Sequence, residues 1–490
     1  MYRQARYVVY ALLLLLVFRQ DAYIANNPLQ EDGYYSLTVA RNLALGNGYT
    51  IDGTMHTSGF QPLVTTVSSL CFVASGGDRI LGLRYYLLLS IIVFALAARV
   101  FANLATRLLP DDNKHTWQLP VELWYLTSLY TFTLHHNGLE TGALMLLYSM
   151  LALHLFGMPP SGASLRWLLQ LALLLGCMVL TRIDVVLPAS ILMMYLLMRP
   201  APFTRRHIVG AGAIIAAIIA PWFVYVFANF GTIMPSGGAA QTSLVFTSER
   251  TLQAFMNSAE ALMPFTFLRF HLLSTMWGEV LRIVLFVAIT PVLWRSARSI
   301  SGSMTSQQRN IFLAAGFGLL IMVLYYIATS FATWHYTRYF APLALTISVL
   351  GIVSFINSPL SKRVKQGVSA TYAVLFVAVF GAMVLGKGSG NEMVVDQLAL
   401  VTENVPEHEL VASGQTGTLG FMRDNVLNVD GKVNHYALRR IDDIPTYLDE
   451  RGVRFFCDEP ELIDRFLGKS PEVKGWRIIG QKGNFVLLHR

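Results

Sequence analysis

The sequence predicts a mainly α-helical, polytopic membrane protein of about 11 transmembrane helices, followed by a small C-terminal α/β domain. Its 490 residues are 54% hydrophobic and only 13% charged, whereas a soluble domain has about a quarter of its residues charged. The apolar residues form blocks, such as 208–227, 310–327 and 371–385, and blocks of roughly 20 residues match a helix that crosses a bilayer. The three cysteines are widely separated and indicate neither a disulfide framework nor a zinc site.

The N-terminal segment is interpreted as the first span. Arg3 and Arg6 precede a short apolar stretch, as in a signal peptide, but no A-x-A cleavage pattern follows it. We therefore expect an uncleaved helix whose flanking residues Arg6 and Arg19 extend toward the membrane interfaces.

The positions of lysine and arginine predict the topology. The predicted spans are 5–20, 84–107, 118–136, 139–157, 167–182, 183–199, 207–229, 279–297, 310–330, 338–357 and 367–386. Alternate loops then carry the basic clusters and are assigned to the cytoplasm, so the net charge of +8 reflects topology and not a nucleic-acid partner. This solution requires that residues 60–75, with five serines or threonines, re-enter or lie on the surface.

Three segments are then predicted on the other side of the membrane: a first loop at 20–83, a loop near 230–278, and the tail. We expect two domains, a transmembrane domain at 1–387 and an extracytoplasmic α/β domain at 388–490. In the tail, Glu409–Ala412 and Val453–Cys457 are typical of short strands, and Trp476–Ile479 and Phe485–His489 flank a turn like a hairpin.

Two adjacent acids in the first loop are the first candidates for chemistry. Glu31 and Asp32 follow soon after a predicted span, with Tyr34 and Tyr35 beside them. A carboxylate held near the bilayer surface is desolvated, which favours a higher pKa and a better proton acceptor. The alternative is that both acids only begin a helix, where negative charge is favourable.

Polar residues at the predicted outer ends of later spans are the second set of candidates. They are Asn137 and Glu140, then Arg182 and Asp184, then His335, Tyr336 and Arg338. Ionisable groups at membrane depth indicate function by default, and arginine suits phosphate binding. The alternatives are interfacial anchoring, above all for His335 beside a tryptophan, and a purely structural Arg–Asp pair.

Several familiar motifs are absent. The glycine-rich run 414–420 lacks the following Lys-Ser/Thr of a nucleotide P-loop. His135, His136 and Glu140 lack the HExxH order of a zinc site. No Asp-x-Asp motif occurs, which fits a donor that needs no metal to chelate a diphosphate. No cofactor is therefore required by the sequence, although Glu31, Asp32 and Glu140 could share a divalent cation.

The first loop resembles that of GT-C glycosyltransferases. The resemblance rests on Glu31-Asp32-Gly33-Tyr34-Tyr35, Ala40-Arg41-Asn42-Leu43-Ala44, Gly46-Asn47-Gly48 and Thr57-Ser58-Gly59-Phe60-Gln61-Pro62-Leu63, and continues through Gly138-Leu139-Glu140-Thr141, Thr181-Arg182-Ile183-Asp184, Phe230–Pro235 and Arg338–Pro342. It is closest in character to the bacterial arabinofuranosyltransferase-like branch. There the loop commonly opens with Asp-Asp, so the catalytic aspartate maps onto Asp32, with Glu31 in place of the other acid.

The resemblance implies a GT-C fold in the bacterial cytoplasmic (inner) membrane and an inverting transfer from a polyprenyl-phosphate sugar. Arabinofuranose is one candidate sugar, and the acceptor is an extracytoplasmic glycan or glycoprotein, with pilin as one candidate. The expected catalytic residues are Asp32, as general base, and Glu31. The expected ligands of the donor phosphate are Arg182, Arg338 and His335, and those of the sugar or acceptor are Glu140, Asn137, Asp184, Tyr34 and Tyr336.

Two rival hypotheses belong to other classes. A transporter or flippase for a lipid-linked glycan would need charged or broken helices near the membrane midplane, and often paired repeats. A non-catalytic scaffold that uses the tail as a binding module would leave the acids of the first loop unexplained. Convergence of Asp32, Arg182 and Arg338 around one cavity would favour the enzyme over both.

Overall fold

The structure is a computed structural model that describes residues 2–24, 28–158, 164–199, 201–241, 276–329, 336–384, 392–469 and 475–490. Its helices are α1 (Tyr2–Leu14), α2 (Asp21–Ile24), α3 (Glu31–Ala44), α4 (Pro62–Ala74), α5 (Arg79–Arg107), α6 (Asp111–Leu126), α7 (Leu129–His136), α8 (Thr141–Phe156), α9 (Leu165–Thr181), α10 (Val186–Met198), α11 (Arg205–Phe230), α12 (Ser236–Gln241), α13 (Met276–Ser303), α14 (Ser306–Thr329), α15 (Tyr336–Tyr339), α16 (Ala341–Asn357), α17 (Lys362–Val384), α18 (Glu392–Asn404), α19 (Gly417–Met422), α20 (His435–Arg439), α21 (Ile444–Glu450) and α22 (Pro460–Leu467), with a 3-10 turn at Ile183–Val185.

Several helices have the length and composition of membrane spans. Within the described residues, α5, α11, α14 and α17 are long and apolar enough to cross a membrane, and the bent pair α7 and α8 would make a fifth span. Shorter apolar helices, among them α4, α9, α10 and α16, pack beside them. The chain is thus a multi-pass membrane protein, and the number of eleven spans stays a prediction.

Helix α5 is the centre of the bundle. Asp78 begins it by accepting a hydrogen bond from the backbone N–H of Leu81 at 2.7 Å, which satisfies one of the free donors at a helix start. Its 29 residues pack against α4, α6, α7, α8 and α16. Phe94 and Phe101 lie fully buried along it, so it organises the largest apolar core of the molecule.

The predicted span 118–136 is wrong as a single helix. Helix α6 ends at Leu126, and Ser128 begins α7 by accepting from the N–H of Thr131. Because α7 has only eight residues, it extends about 12 Å, well short of a hydrocarbon core of about 30 Å. The chain then turns by 116° between α7 and α8. Helix α4 has 13 residues, about 20 Å, as does α10, so the expectation that 60–75 does not cross stays a prediction.

The C-terminal region (392–490) contains a five-stranded mixed sheet of order β2-β1-β3-β5-β4. Its strands are β1 (Val411–Ser413), β2 (Val426–Asn428), β3 (Phe455–Asp458), β4 (Arg477–Lys482) and β5 (Phe485–His489). The first three pair in parallel, and β4 and β5 form the predicted hairpin. Strand β2 was not predicted, because its three residues are too few to show a clear alternation. The predicted domain boundary at 387/388 falls outside the described residues.

This sheet region packs on the first loop through α19, which lies against α3. Arg79 donates from Nε to the carbonyl of Phe421 at 2.7 Å and pairs with Asp424 at 2.5 Å. The ring of Phe421 lies 5.4 Å from that of Tyr34. Helix α19 is remote from α3 in sequence, yet it packs on the start of α3, next to Glu31 and Asp32.

Candidate active site

A cavity of about 560 Å³ lies where the first loop, the two ends of the α9–α10 turn, helix α14, the 336–339 segment and the C-terminal region meet. The polar side chains that line it include Asp32, Tyr35, Glu140, Arg182, Asp184, Tyr326, Arg338 and Lys432. They come from distant parts of the chain, so the cavity exists only in the folded protein. It contains the convergence of Asp32, Arg182 and Arg338 that separates the enzyme hypothesis from its rivals.

Asp32 lies between two cations at the cavity wall. Its Oδ2 is 3.2 Å from Nη1 of Arg338, and its Oδ1 is 3.7 Å from Nζ of Lys432. Lys432 also lies 3.4 Å from Oδ2 of Asp430. Burial lowers the pKa of Lys432, but Asp32 and Asp430 more than offset this, so its pKa is raised and it carries its charge. The Asp32 carboxylate is thus in the first turn of α3, with a cation beside each of its oxygens. Because it lines the cavity, a ligand bound there could reach it.

Two glycines allow α3 to start at this place. A Cβ atom on Gly33 would lie 2.5 Å from the carbonyl oxygen of Asn137, a distance that no side chain tolerates. Gly138 has a φ of 86°, in the left-handed region that glycine adopts without strain. The close backbone approach holds the start of α3 against the turn between α7 and α8, and so brings Asp32 and Glu140 to one cavity.

Arg182 is the buried centre of a second cluster. Its Nε lies 3.1 Å from Oδ1 of Asp184 and its Nη1 lies 3.8 Å from Oε1 of Glu140. Nη1 also donates to the backbone carbonyl of Arg338 at 3.0 Å, and Nη2 to the hydroxyl of Tyr326 at 2.8 Å. Tyr326 in turn donates to Asp184. With two acids as partners, Arg182 is placed to hold Arg338 in position more than to take up a new anion.

Arg338 is less fully engaged than Arg182. Its guanidinium lies over the ring of Tyr339, 5.2 Å from the ring centre, and Tyr339 stacks on Tyr326 at 4.3 Å. Within the described part of the chain, its buried Nε has no hydrogen-bond partner. A guanidinium held over an aromatic ring and facing a cavity suits a planar oxyanion such as phosphate.

Glu31 does not share the environment of Asp32. Its two oxygens accept hydrogen bonds from the backbone N–H groups of Gly417 and Thr418, the latter at 2.9 Å, and from Oγ1 of Thr418 at 2.7 Å. Burial raises the pKa of Glu31, against the opposing effect of the hydrogen bonds from Thr418. The side chain does not line the cavity. The geometry therefore does not support a catalytic role for Glu31, and it fastens the C-terminal region to α3.

The remaining predicted residues divide into three groups. Glu140 and Asp184 line the cavity. Tyr34, packed under Phe421, and Asn137, whose side chain accepts from the N–H of Leu139 at 3.0 Å, are buried away from it. His335 and the side chain of Tyr336 lie outside the described residues.

Tyr35 and Lys432 are two of the lining residues that were not predicted as site residues. Tyr35 donates its hydroxyl hydrogen to the carbonyl of Gly414 at 3.3 Å, which orients it toward the C-terminal region. Lys432 follows an Asp-Gly pair in the tail, and nothing in that pattern distinguishes it from a solvated lysine. Only the packing of the tail against the first loop reveals it.

A metal site of the predicted kind is not formed by the described side chains. Among them, no group of three or more His, Cys, Asp or Glu residues is placed to hold a metal ion. The proposed trio of Glu31, Asp32 and Glu140 does not come together because Glu31 faces Thr418.

The fold and the cavity define a class of protein, the polytopic membrane proteins of GT-C fold. Over its whole length the chain is similar to ArnT from Cupriavidus metallidurans in the apo state, with a TM-score of 0.61, 13% identity, and coverage of 100% of this chain and 98% of that one. The archaeal oligosaccharyltransferase AglB from Archaeoglobus fulgidus, in complex with an inhibitory peptide and a dolichol-phosphate, matches at a TM-score of 0.49 and 11% identity over 97% of this chain and 74% of that one.

No protein-family model matches the sequence, and no curated protein matches it significantly. Identity as low as 13% establishes the fold alone. The GT-C fold is confirmed, whereas the arabinofuranosyltransferase-like branch stays a prediction.

Proposed function

We propose that this protein is an inverting membrane glycosyltransferase that moves a sugar from a polyprenyl-phosphate carrier to an acceptor hydroxyl outside the cytoplasm. The observation that carries the proposal is the ion pair between Asp32 and Arg338, 3.2 Å apart on the wall of a cavity of about 560 Å³. A proton acceptor and an anion-binding cation side by side are what such a transfer needs.

The reaction is a single displacement at the anomeric carbon. The acceptor oxygen forms a bond to that carbon while its proton passes to Asp32, the general base. The bond between the anomeric carbon and the phosphate oxygen breaks, and its electron pair leaves with the polyprenyl phosphate. Arg338 offsets the charge that grows on this leaving group. One displacement on the face opposite the phosphate inverts the anomeric configuration.

The cluster around Arg182 has a supporting part in this reaction, because it positions Arg338 and adds two carboxylates to the cavity. Arg182 holds the backbone of Arg338 through a hydrogen bond of 3.0 Å. Glu140 and Asp184 present carboxylate oxygens to the cavity and are suited to accept hydrogen bonds from sugar hydroxyls. The polyprenyl tail would lie against apolar lining residues such as Ile183 and Phe223.

The finer identity of donor, acceptor and location follows the resemblance in the first loop. Arabinofuranose is our first candidate for the sugar, a cell-envelope glycan for the acceptor, and pilin for a protein acceptor. We place the protein in the bacterial inner membrane, with the cavity and the C-terminal region on the extracytoplasmic side.

A flippase for a lipid-linked glycan is the second candidate. The observation in its favour is the 116° bend between α7 and α8, because broken helices often line transport sites. Against it, the charged residues of the cavity lie at a helix start, at two turns, in the short helix α15 and in a loop of the C-terminal region, and not within the long apolar helices.

The test compares cells with and without the gene. We expect the mass spectrum of one extracytoplasmic glycan or glycoprotein to lose one sugar residue, and wild-type protein to restore it. Asp32→Asn protein, produced at the same level, should fail to do so. Accumulation of the lipid-linked donor on the cytoplasmic side in cells without the gene would contradict the transferase and favour the flippase, whereas the transferase predicts accumulation on the extracytoplasmic side.

A further inference from the structure

Lys432 brings a positive charge into the cavity from the far end of the sequence. Its Nζ lies 3.7 Å from Oδ1 of Asp32 and 3.4 Å from Oδ2 of Asp430. Both distances exceed those of a short charge-assisted hydrogen bond, about 2.7–2.9 Å. The side chain is 32% exposed and therefore has room to move. It is held by charge and not locked in one geometry.

The backbone of Lys432, in contrast, is closely held. Its carbonyl accepts from Oγ of Ser236 at 2.9 Å, and the N–H of Ser236 donates to Oγ of Ser58 at 3.0 Å. A Cβ atom on Gly59 would lie 2.0 Å from the carbonyl oxygen of Lys432, so only glycine permits this approach. The loop is thus fastened to two walls of the cavity, while a flexible four-carbon side chain extends from it.

We propose that Lys432 is a second ligand of the donor phosphate. Its ammonium group pairs with Asp32 while the site is empty and moves to the phosphate when the donor binds. This inference rests on the proposed function, because it assumes a phosphate-linked donor. It assigns to the C-terminal region a direct part in donor binding, by way of a single side chain.

The position of the two cations supports the exchange. Arg338 and Lys432 each contact a different oxygen of the same carboxylate, so they stand close enough for one phosphate group to contact both. The polyprenyl phosphate that leaves carries more negative charge than the diester that enters. Two flanking cations therefore stabilise the departing group more than the substrate, which is the condition for catalysis.

The exchange also changes Asp32. An opposite charge within about 4–6 Å favours the ionised form of a carboxylate, so an acid flanked by two cations accepts a proton poorly. When the phosphate draws Lys432 away, Asp32 becomes a better proton acceptor. The base is then most effective only when a donor is present, and the donor is expected to bind before the acceptor.

The test measures binding without turnover. Full-length wild-type, Lys432→Ala and Lys432→Arg proteins in lipid nanodiscs are titrated with polyprenyl phosphate that carries no sugar. We expect Lys432→Ala to bind roughly tenfold more weakly, the size of a lost charge-assisted contact, and Lys432→Arg to retain most of the affinity. The matched control is Lys482→Ala, which removes a lysine paired with Glu403 at 3.0 Å on the sheet and should bind like wild type.

Kinetics with a synthetic donor separate the outcomes further. A donor KM that rises in Lys432→Ala and recovers in Lys432→Arg supports the inference. Wild-type binding by Lys432→Ala, or a change confined to the acceptor KM or to thermal stability, would overturn it and leave the proposed function standing. If wild-type protein itself neither binds polyprenyl phosphate nor transfers from it, the proposed function and this inference fall together.

Discussion

Two clusters of paired charge in this protein use the same residue types in different ways. In the site cluster, Asp32 is shared by Arg338 and Lys432 beside a cavity. In the second, the Glu122 cluster, one carboxylate is shared by Arg6 at 3.3 Å and Arg99 at 3.2 Å, with Tyr10 donating to it at 3.2 Å. Glu122 is 1% exposed and does not line the site cavity.

The two clusters join different elements of the protein. Arg79, at the start of α5, contacts the C-terminal region, whereas Arg99 is twenty residues further on, about 30 Å along the helix. The Glu122 cluster ties α1, α5 and α6 together. The site cluster instead joins α3 to the 336–339 segment and the C-terminal region. Paired charge alone therefore does not distinguish the two clusters; what differs is that Asp32, Arg338 and Lys432 line a cavity of about 560 Å³, which Glu122 does not.

The largest expected effect is that of Asp32→Asn. Loss of the general base should lower kcat by about 10³-fold, with polyprenyl phosphate binding retained, since both cations remain. The measurement is transfer from a synthetic polyprenyl-phosphate sugar. The neighbouring Glu31→Gln serves as the matched control and should lower kcat less than about tenfold, because Glu31 faces Thr418. Near-normal activity of Asp32→Asn excludes it as the base.

Arg338→Ala should have the next largest effect. Removal of a charge-assisted contact is expected to raise the donor KM by about 10- to 100-fold, and Arg338→Lys should recover only part, because lysine lacks the planar fork. Arg440→Ala, which removes an exposed arginine paired with Glu450 at 3.1 Å, provides the control. Donor kinetics that are unchanged in Arg338→Ala would remove it from the phosphate site.

The Glu122 cluster should respond in stability and not in donor kinetics. Glu122→Ala leaves Arg6 and Arg99 without their shared carboxylate; because the Arg99 side chain is 50% exposed, the loss should cost about 1–2 kcal/mol, less than for a fully buried pair. We expect a lower unfolding temperature with an unchanged donor KM. Glu403→Ala, at an exposed pair, should change stability by less than about 1 kcal/mol. A raised donor KM in Glu122→Ala would break the distinction between the two clusters.

The last prediction concerns the pH dependence of stability and the buried acid Asp458 at the end of β3. It accepts from the N–H of Gly414 at 2.6 Å and from Oγ of Ser413 at 3.0 Å, yet burial raises its pKa to about 7. Because the folded pKa lies above the usual value of 3.8, its stabilising contribution is complete below about pH 4 and is lost as the pH rises through about 7.

The corresponding experiment follows unfolding of the full-length protein from about pH 5 to about pH 8. The wild type should lose stability over this range, and Asp458→Asn, which cannot titrate, should show a flatter profile at a lower overall stability. Equal slopes for the two proteins would show that another group controls the pH dependence.

Local sequence patterns predicted much of the fold. The C-terminal hairpin was found because a turn separates two strand-like runs. Helix α4, within 60–75, is short and apolar, and whether that segment crosses the membrane stays a prediction. The break between α6 and α7 was not predicted. Thr127 and Ser128 interrupt the helical hydrogen bonds there, but two such residues do not interrupt an otherwise apolar stretch of sequence.

The sequence by itself determined the membrane character of the protein, through blocks of apolar residues, and the residue types available for chemistry in the first loop and at the helix ends. Tertiary structure decided which of those residues meet. Glu31 and Asp32 are adjacent in sequence, and the tail decided between them: Thr418 binds the Glu31 carboxylate, whereas Asp32 lines the cavity. Lys432 is 400 positions after Asp32 in the sequence. It reaches the cavity because its loop packs against Gly59, and no pattern in the loop sequence predicts that contact.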